Sequence, residues 1–298
     1  MKALVILYPD AGKGDSHEAV REALERDFTA ARIEFEIHEL VKGDKPGEIV
    51  RARLGDGFDL LVAAGGDGTV SGIVDGLCGS PIPLGIIPTG TGNLIAREFG
   101  IPTDVDEAVA LIAGKPRPLR IDAMKIGEHA YVLNAGVGIG AAVIAGTTRT
   151  NKRRFGRIAY AATALKVFHL GPRPLDVTID GKTHRVRAVE VAISNCGILA
   201  RKLYPKGPEI RSDDGQVDVW ILGMRSFLDY VLYLLGIVFG WRAKAQFLIA
   251  RKRVSIVSRV PLPAQGDGDI IGTTPLELEV LPGAVTVLVP GEADQATP

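Results

Sequence analysis

Hydrophobic and polar positions follow two periods in the first 118 residues. Short apolar runs typical of buried strands alternate with segments whose apolar residues fall at helical spacing. The predicted strands are Ala3–Tyr8, 33–37, Leu60–Ala64 and Ile82–Ile87. The predicted helices cover residues 16–28, Pro46–Leu54, 70–77 and 104–114. This alternation favours an α/β domain in which helices cover both faces of a doubly wound parallel sheet.

The pattern becomes strand-rich after Pro116–Pro118. The Asp180–Gly181 pair lies between two alternating runs and predicts a hairpin. Helices are predicted at Arg157–Leu170 and Phe227–Trp241, and strands at Leu119–Ile126, Ala130–Ala135, 175–179, 182–186, Val189–Ser194, Val217–Leu222, Val254–Ser258, Leu276–Leu281 and Val285–Val289. We predict an α/β domain in residues 1–118 and an antiparallel, β-sandwich-like domain in 119–289. Residues 290–298 are expected either to fray or to pack back on the first domain.

Two glycine-rich loops follow successive predicted strands, Gly65–Thr69 and Pro88–Asn93. Glycines let backbone amides approach a ligand closely, and the N-terminus of a following helix attracts phosphate. The carboxylate of Asp67 would repel phosphate unless it binds Mg²⁺ or a substrate hydroxyl, which suggests phosphoryl transfer. An ordinary tight turn with a solvated Asp67 is the alternative. The second loop favours a site, because loops after successive parallel strands lie on one rim of the sheet.

Three further segments have both a structural and a chemical interpretation. The loop Pro9–Gly14 lacks the spacing of a Walker A motif, and it is either a phosphate contact or a plain connection. The segment Arg211–Gln216 is either a turn or a site for a hard cation. The segment Gln265–Asp269 is either a turn or the source of a general base. The glycines of Asn134–Gly140 favour packing over binding.

Composition excludes some classes of partner. The 298 residues carry a formal net charge of zero, so nothing suggests nucleic acid as a partner. Cys78 and Cys196 match no metal-binding spacing, which favours thiols in a reducing cytoplasm. The apolar segment Phe227–Trp241 is shorter than the ~20 residues of a transmembrane helix. It is interpreted as a buried helix, or as a helix that contacts a membrane together with Arg251–Arg253. The oligomeric state, including a homodimer, is left open.

Taken in order, these motifs resemble the diacylglycerol kinase catalytic family, in particular the soluble bacterial lipid kinases. The resemblance covers nearly the whole chain. The first motif, Gly65–Thr69, is similar to that of NAD kinases and sphingosine-type kinases, and the motifs of the second domain favour a lipid kinase. The resemblance implies ATP and Mg²⁺ as cofactors, and a lipid such as diacylglycerol, met at a membrane surface, as the acceptor.

The resemblance also implies roles for residues that match the family motifs. The implied nucleotide contacts are Pro9, Gly12, Lys13, Gly14, Gly65, Gly66, Asp67, Gly68, Thr69, Ser71, Thr91, Gly92 and Asn93. The implied metal site has the carboxylate of Asp214, the carbonyls of Arg211 and Gln216, and Asp122 linking the metal to the active cleft. Asp269 matches the catalytic base, with Asp67 and Asp267 as further catalytic candidates.

This chain departs from the family pattern in several places, and the usual threonine near position 40 is missing from His38–Lys42. It has Tyr8 and Ser71 where the family usually has asparagine, Leu94 where it has aspartate, and Asp269 where it has glutamate. These departures motivate one alternative to a diacylglycerol kinase, a non-catalytic nucleotide- or lipid-binding homologue. The other alternative is a kinase of the same superfamily that acts on NAD or a sphingoid base.

Overall fold

The structure is a computed structural model that describes residues 1–8, 16–146, 171–198, 201, 208–223, 229 and 245–291. The chain divides into two units, Met1–Ala123 with Pro282–Pro298, and Met124–Leu281. The predicted loop 9–14, the predicted helix Arg157–Leu170 and all but Asp229 of the predicted helix Phe227–Trp241 lie outside the described residues.

The first unit is an α/β fold built on a largely parallel sheet. Its strands lie in the order β2-β1-β3-β4, and the end of β16 continues the sheet beside β4 in parallel. The elements of this unit are β1 (Lys2–Leu7), α1 (Ser16–Ala30), β2 (Glu34–Glu39), α2 (Pro46–Arg53), β3 (Leu60–Gly65), α3 (Asp67–Leu77), β4 (Leu84–Pro88), α4 (Leu94–Glu98), α5 (Val105–Ala113), the start of β5 (Arg117–Ile126) and the end of β16 (Leu276–Val289).

Local sequence signals explain several of these elements. All six residues of β3 are buried, as a continuous apolar run predicts, whereas the edge strand β2 is half exposed. Helix α5 begins after Asp104, whose carboxylate accepts a hydrogen bond from the amide of Glu107 at 3.1 Å, and it ends at Gly114. The core of the unit includes the buried side chains of Val62, Ile87 and Phe28.

The second unit contains two antiparallel arrays of strands. One has the order β12-β11-β10-β7-β14-β15, and in the other β16, β13, β8 and β9 are neighbours. Its elements are the end of β5, β6 (His129–Tyr131), β7 (Asn134–Gly138), α6 (Ile139–Gly146), β8 (Arg173–Ile179), β9 (Lys182–Ala188), β10 (Glu190–Ser194), β11 (Val217–Leu222), β12 (Ala245–Ala250), β13 (Arg253–Ser258), β14 (Pro263–Gly266), β15 (Asp269–Thr273) and the start of β16. Side chains from both arrays share one core. The predicted fold class is confirmed.

Some predicted elements are wrong in detail. The single strand predicted at Ala130–Ala135 is two strands, β6 and β7, and the two strands predicted after residue 275 are the single strand β16. Helix α6 and strands β12, β14 and β15 were not predicted. Within the described part of the chain, none of the helices combines the length and apolarity needed to cross a bilayer.

The glycines of the 134–140 segment make room for a half-buried acid, Glu190 on β10. A Cβ built on Gly138 would lie 2.9 Å from Oε2 of Glu190, and one built on Gly140 would lie 2.9 Å from Oε1. The amide of Gly140, in the first turn of α6, donates a hydrogen bond to Oε2 at 2.7 Å. The packing interpretation of this segment is therefore confirmed. Burial raises the pKa of Glu190 to about 8, although hydrogen bonds from the amides of Gly140 and Ile139 oppose the shift.

Candidate active site

The first glycine loop joins β3 to the N-terminus of α3. Gly66 is the N-cap of this helix in an extended conformation, and no side chain caps the first turn. A Cβ on Gly65 would lie 2.6 Å from the Cβ of Thr69, so the loop excludes a larger residue there. A Cβ on Gly68 would meet nothing within 4 Å, and this residue is exposed. An uncapped and open helix N-terminus of this kind can bind an anion.

The second glycine loop lies directly against the first. A Cβ on Gly90 would lie 2.5 Å from the Cα of Gly66, so the two backbones are in contact at this point. The amide of Thr89 donates a hydrogen bond to the carbonyl of Gly65 at 3.1 Å. The expectation that both loops share one rim of the sheet is confirmed. Glycine at positions 66 and 90 is what permits the contact.

Asp67 connects the two loops through its carboxylate. Its Oδ1 accepts a hydrogen bond from the amide of Ile95, in the first turn of α4, at 3.1 Å. A Cβ on Gly92 would lie 2.8 Å from Oδ2. The carboxylate therefore holds the second loop in place and requires glycine at position 92, whatever ligand it also contacts.

Asn93 stabilises the second loop from within. Its backbone is left-handed, with φ of 49°, and its side chain is buried. Oδ1 accepts from the amide of Gly90 at 3.0 Å, and Nδ2 donates to the carbonyl of Gly90 at 2.9 Å. The amide group thus closes a small ring that leaves Thr91 and Gly92 exposed at the tip. Ser71 lies one turn into α3 and is half-buried.

The loop contact yields a first prediction. Gly90→Ala should lower the free energy of unfolding by about 1–3 kcal/mol, because its methyl group would overlap the backbone of Gly66. Gly68→Ala is the matched control: its methyl group meets open space, and alanine favours a helix, so stability should be unchanged or higher. Urea unfolding of both variants checks this. Equal destabilisation by the two substitutions would contradict the described contact.

Asp122 lies buried on β5 and is 2% exposed. Its Oδ1 accepts a hydrogen bond at 2.7 Å from the amide of Gly283, a residue with φ of 54° in β16. Two residues earlier, Arg120 donates to the carbonyl of the same glycine at 2.8 Å. Both side chains hydrogen-bond to Gly283 of β16 and hold this strand against β5. Asp122 therefore has a structural partner within the first unit, whereas its predicted role is to link a metal to the active cleft.

The 211–216 segment forms a turn before β11. The guanidinium of Arg211 is paired with the carboxylate of Asp213 at 3.1 Å. Both oxygens of Asp214 accept hydrogen bonds from Gln216, from its amide at 3.2 Å and from Nε2 at 2.7 Å. Asp218 follows on β11, and burial together with the charge of Asp214 raises the pKa of Asp218 to about 6. Within the described residues, no three His, Cys, Asp or Glu side chains cluster around a common point.

Two aspartates of the 265–269 segment have different surroundings. Asp267 occupies the turn between β14 and β15, with φ of 48°, and its carboxylate accepts from the amides of Val132, Leu133 and Asn134 at 2.9 to 3.0 Å. Asp269, the first residue of β15, is exposed, and no described residue forms a hydrogen bond or ion pair with its carboxylate. A side chain with this freedom can accept a proton from a substrate, whereas the oxygens of Asp267 are already engaged.

The predicted hairpin at Asp180 shows the same arrangement as Asp267. Asp180 also has φ of 48° and is followed by a glycine, and its carboxylate accepts from the amides of Arg251, Lys252 and Arg253. Burial opposes ionisation of Asp180, but the three amides outweigh it and lower its pKa. Because an Asp-Gly turn anchors a neighbouring segment in both places, the contacts of Asp267 have a structural purpose.

Gln265 fixes the turn that carries Asp269. Its Nε2 donates to Oδ1 of Asn134 at 2.9 Å, and its Oε1 accepts from the amide of Gly268 at 3.0 Å. A Cβ on Gly266 would lie 2.6 Å from the ring of Tyr131. Sequence reasoning missed Gln265, Glu190 and Asp218. Gln265 and Asp218 are buried and Glu190 is half-buried, and the sequence pattern of a strand does not show which of its polar side chains face the interior.

Comparison with known proteins identifies the class. A family model described as the diacylglycerol kinase catalytic domain matches residues 2–126, and one described as the YegS C-terminal NAD kinase beta sandwich-like domain matches residues 133–289. The chain therefore belongs to the diacylglycerol kinase family of YegS-like lipid kinases.

Individual relatives match over nearly their whole length. A diacylglycerol kinase of Mycobacterium tuberculosis is 28% identical over 304 residues, which cover 97% of this chain and 95% of that protein. A probable YegS-like lipid kinase of Pseudomonas aeruginosa is 30% identical over 300 residues, which cover 97% of this chain and 94% of that protein. The crystal structure of a putative diacylglycerol kinase from Bacillus anthracis has a TM-score of 0.80 and 26% identity, and the match covers 98% of this chain and 96% of that one. The predicted resemblance is confirmed.

Proposed function

We propose that this chain transfers the terminal phosphoryl group of ATP to a hydroxyl of diacylglycerol or a related lipid, with Mg²⁺. The observation that carries the proposal is the backbone contact of the two glycine loops, at Gly66 and Gly90, beside the uncapped N-terminus of α3. The loops present backbone amides and a helix dipole to a phosphate chain. Family membership and relatives named diacylglycerol kinase support the choice of a lipid acceptor.

The proposal assigns the nucleotide to the first unit. The amides of Gly66 and Gly68 would donate to phosphate oxygens, and the exposed Thr91 would add a hydroxyl contact. Gly65, Thr69, Ser71, Gly92 and Asn93 would shape the loops, and the 9–14 loop would supply further contacts. Asp67 would keep the second loop closed on the nucleotide through its hydrogen bond to Ile95.

The proposal assigns the acceptor chemistry to the second unit. Asp269 would take the proton from the lipid hydroxyl, because its carboxylate is exposed. Asp267 would hold the turn in the geometry that places Asp269. Because the acceptor is a lipid, we expect transient contact with a membrane surface from the cytoplasmic side.

The residues of the 211–216 turn fit a hard cation. Asp214 provides an exposed carboxylate, and the carbonyls of Arg211 and Gln216 are oxygen donors of the kind that Mg²⁺ prefers. Bound Mg²⁺ would supply positive charge that favours ionised acidic groups around it. Asp122 is not proposed as a ligand of this cation; within the first unit, its carboxylate accepts a hydrogen bond from the amide of Gly283.

An acceptor profile tests the proposal. The purified chain is incubated with γ-labelled ATP, Mg²⁺ and, separately, diacylglycerol in mixed micelles, a sphingoid base, or NAD. We expect labelled phosphatidic acid from wild type, none from Asp67→Ala, and wild-type labelling from the control Asp106→Ala, whose side chain is exposed on α5. Labelling of NAD alone would show that the chain is a kinase with NAD, and not a lipid, as its acceptor. Binding of ATP without any transfer would favour the non-catalytic alternative, to which the departures at Tyr8, Ser71, Leu94 and Asp269 point.

A further inference from the structure

Two side-chain amides form a chain of hydrogen bonds next to the turn that carries Asp269. The amide of Gly268 donates to Oε1 of Gln265 at 3.0 Å, and a backbone N–H can only donate, so the oxygen of Gln265 must face it. Nε2 of Gln265 therefore faces Asn134 and donates to its Oδ1 at 2.9 Å. Because this contact needs an acceptor, Asn134 directs its oxygen to Gln265 and its Nδ2 elsewhere. Both amides are thus fixed in one orientation.

Nδ2 of Asn134 is a hydrogen-bond donor whose orientation is set but whose partner is missing. Within the residues that the structure describes, no group accepts a hydrogen bond from it. Asn134 is the first residue of β7, and it is half-buried. The packing role found for this segment concerns its glycines and not this side chain. A fixed donor of this kind can bind a ligand oxygen.

Asn134 lies close to Asp269 in the fold. The carbonyl of Asn134 accepts from the amide of Asp267 at 2.8 Å, and the amide of Asn134 donates to Oδ1 of Asp267 at 3.0 Å. Asp269 is paired with Gly266 across β15 and β14, and Gly266 is paired with Ala135 across β14 and β7. Neighbouring strands lie about 4.8 Å apart, so the Cα atoms of Asp269 and Ala135 are about 10 Å apart. One lipid headgroup can therefore reach both the donor and the proposed base.

We propose that Nδ2 of Asn134 donates a hydrogen bond to an oxygen of the lipid acceptor and so orients the reacting hydroxyl toward Asp269. This inference rests on the proposed function, because it adds a substrate contact to the acceptor site named there. The ester carbonyl and hydroxyl oxygens of a glycerol lipid accept hydrogen bonds. A donor that is already held in place loses little conformational freedom when the lipid binds. Gln265 is then a positioning residue, since it acts through Asn134.

Two substitutions of nearly unchanged shape test the inference. Asn134→Asp keeps the oxygen that accepts from Gln265 and replaces the donor by a second oxygen. Gln265→Glu keeps the oxygen that accepts from Gly268, so Asn134 must turn its Nδ2 toward position 265 and present its oxygen to the lipid. In steady-state kinetics, both variants should raise KM for diacylglycerol about 10-fold and leave KM for ATP within about twofold of wild type.

Gln246→Glu is the matched control, because it makes the same chemical change at an exposed position on β12 of the same sheet. Both of its KM values should stay within about twofold of wild type. An unchanged KM for diacylglycerol in Asn134→Asp and Gln265→Glu would overturn the inference. A lower kcat with both KM values unchanged, in step with a lower melting temperature, would make Asn134 a structural residue and would overturn it as well.

Calorimetric titration with a water-soluble short-chain diacylglycerol, without ATP, separates this inference from the proposed function. Wild type should bind the lipid, and Asn134→Asp should bind it about 10-fold more weakly. That result without any phosphoryl transfer by wild type would contradict the proposed function and support the lipid contact. Phosphoryl transfer by wild type, with equal lipid affinity of both proteins, would overturn the inference alone. No lipid binding by either protein would overturn both.

Discussion

Replacing Asp269 by asparagine should slow phosphoryl transfer by about 10²- to 10⁴-fold, because the amide cannot take the proton of the acceptor hydroxyl. The side chain is exposed, and no described residue forms a hydrogen bond or ion pair with its carboxylate, so the free energy of unfolding should stay within about 0.5 kcal/mol of wild type. Steady-state kinetics with diacylglycerol measures the rate of phosphoryl transfer, and urea unfolding of the same preparation measures the free energy of unfolding. The loss should appear in kcat, while ATP binding is retained.

Asp267→Asn, two residues earlier, is the matched control. Asparagine also tolerates a left-handed backbone, but it offers one acceptor oxygen to the amides of Val132, Leu133 and Asn134. The variant should therefore be less stable by about 1–3 kcal/mol and lose less activity than Asp269→Asn at a temperature where both are folded. If Asp267→Asn were inactive and fully stable while Asp269→Asn kept wild-type rates, the roles of the two aspartates would be exchanged.

Wild-type stability should fall as the pH rises from about 4.5 to about 8, because of Glu190. The folded state holds the acid protonated up to its raised pKa, whereas the unfolded chain releases the proton near 4.5. Between these values the unfolded state binds fewer protons, so raising the pH favours unfolding. The contribution of this single group is at most about 5 kcal/mol across the window.

Glu190→Gln should remove this part of the pH dependence. The amide stays neutral at every pH and keeps an oxygen that can accept from Gly140. Urea unfolding at several pH values between 5 and 9 measures the free energy of unfolding of both proteins. The variant should become increasingly more stable than wild type as the pH rises. Glu277→Gln, at an exposed position on β16, is the control and should follow the wild-type profile. Parallel profiles for wild type and Glu190→Gln would show that Glu190 ionises normally.

The sequence predicted elements well where one local signal dominates. The cap at Asp104 and the hairpin at Asp180 were found because a single side chain or dipeptide determines the backbone there. The same Asp-Gly dipeptide at Asp267 predicts a turn but not the hairpin, because the flanking β14 and β15 are short and lack clear alternation. Helix α6 was missed because its residues are apolar or small on every side, which leaves no helical stripe to detect.

The contacts that assemble the candidate site were less accessible to prediction. The hydrogen bond from Ile95 to Asp67 spans 28 positions, and that from Gly283 to Asp122 spans 161. No local pattern encodes such pairs. The glycine loops themselves were recognisable because each follows an apolar run, and their backbone contact gives a physical reason for glycine at both positions.

A crystal structure of the chain with Mg²⁺ and a non-hydrolysable ATP analogue tests the central claim most directly. We expect the phosphates to lie at the N-terminus of α3, within hydrogen-bonding distance of the amides of Gly66 and Gly68 and near Thr91. Phosphates bound at any other part of the chain, with the two glycine loops left in contact only with solvent, would contradict the account.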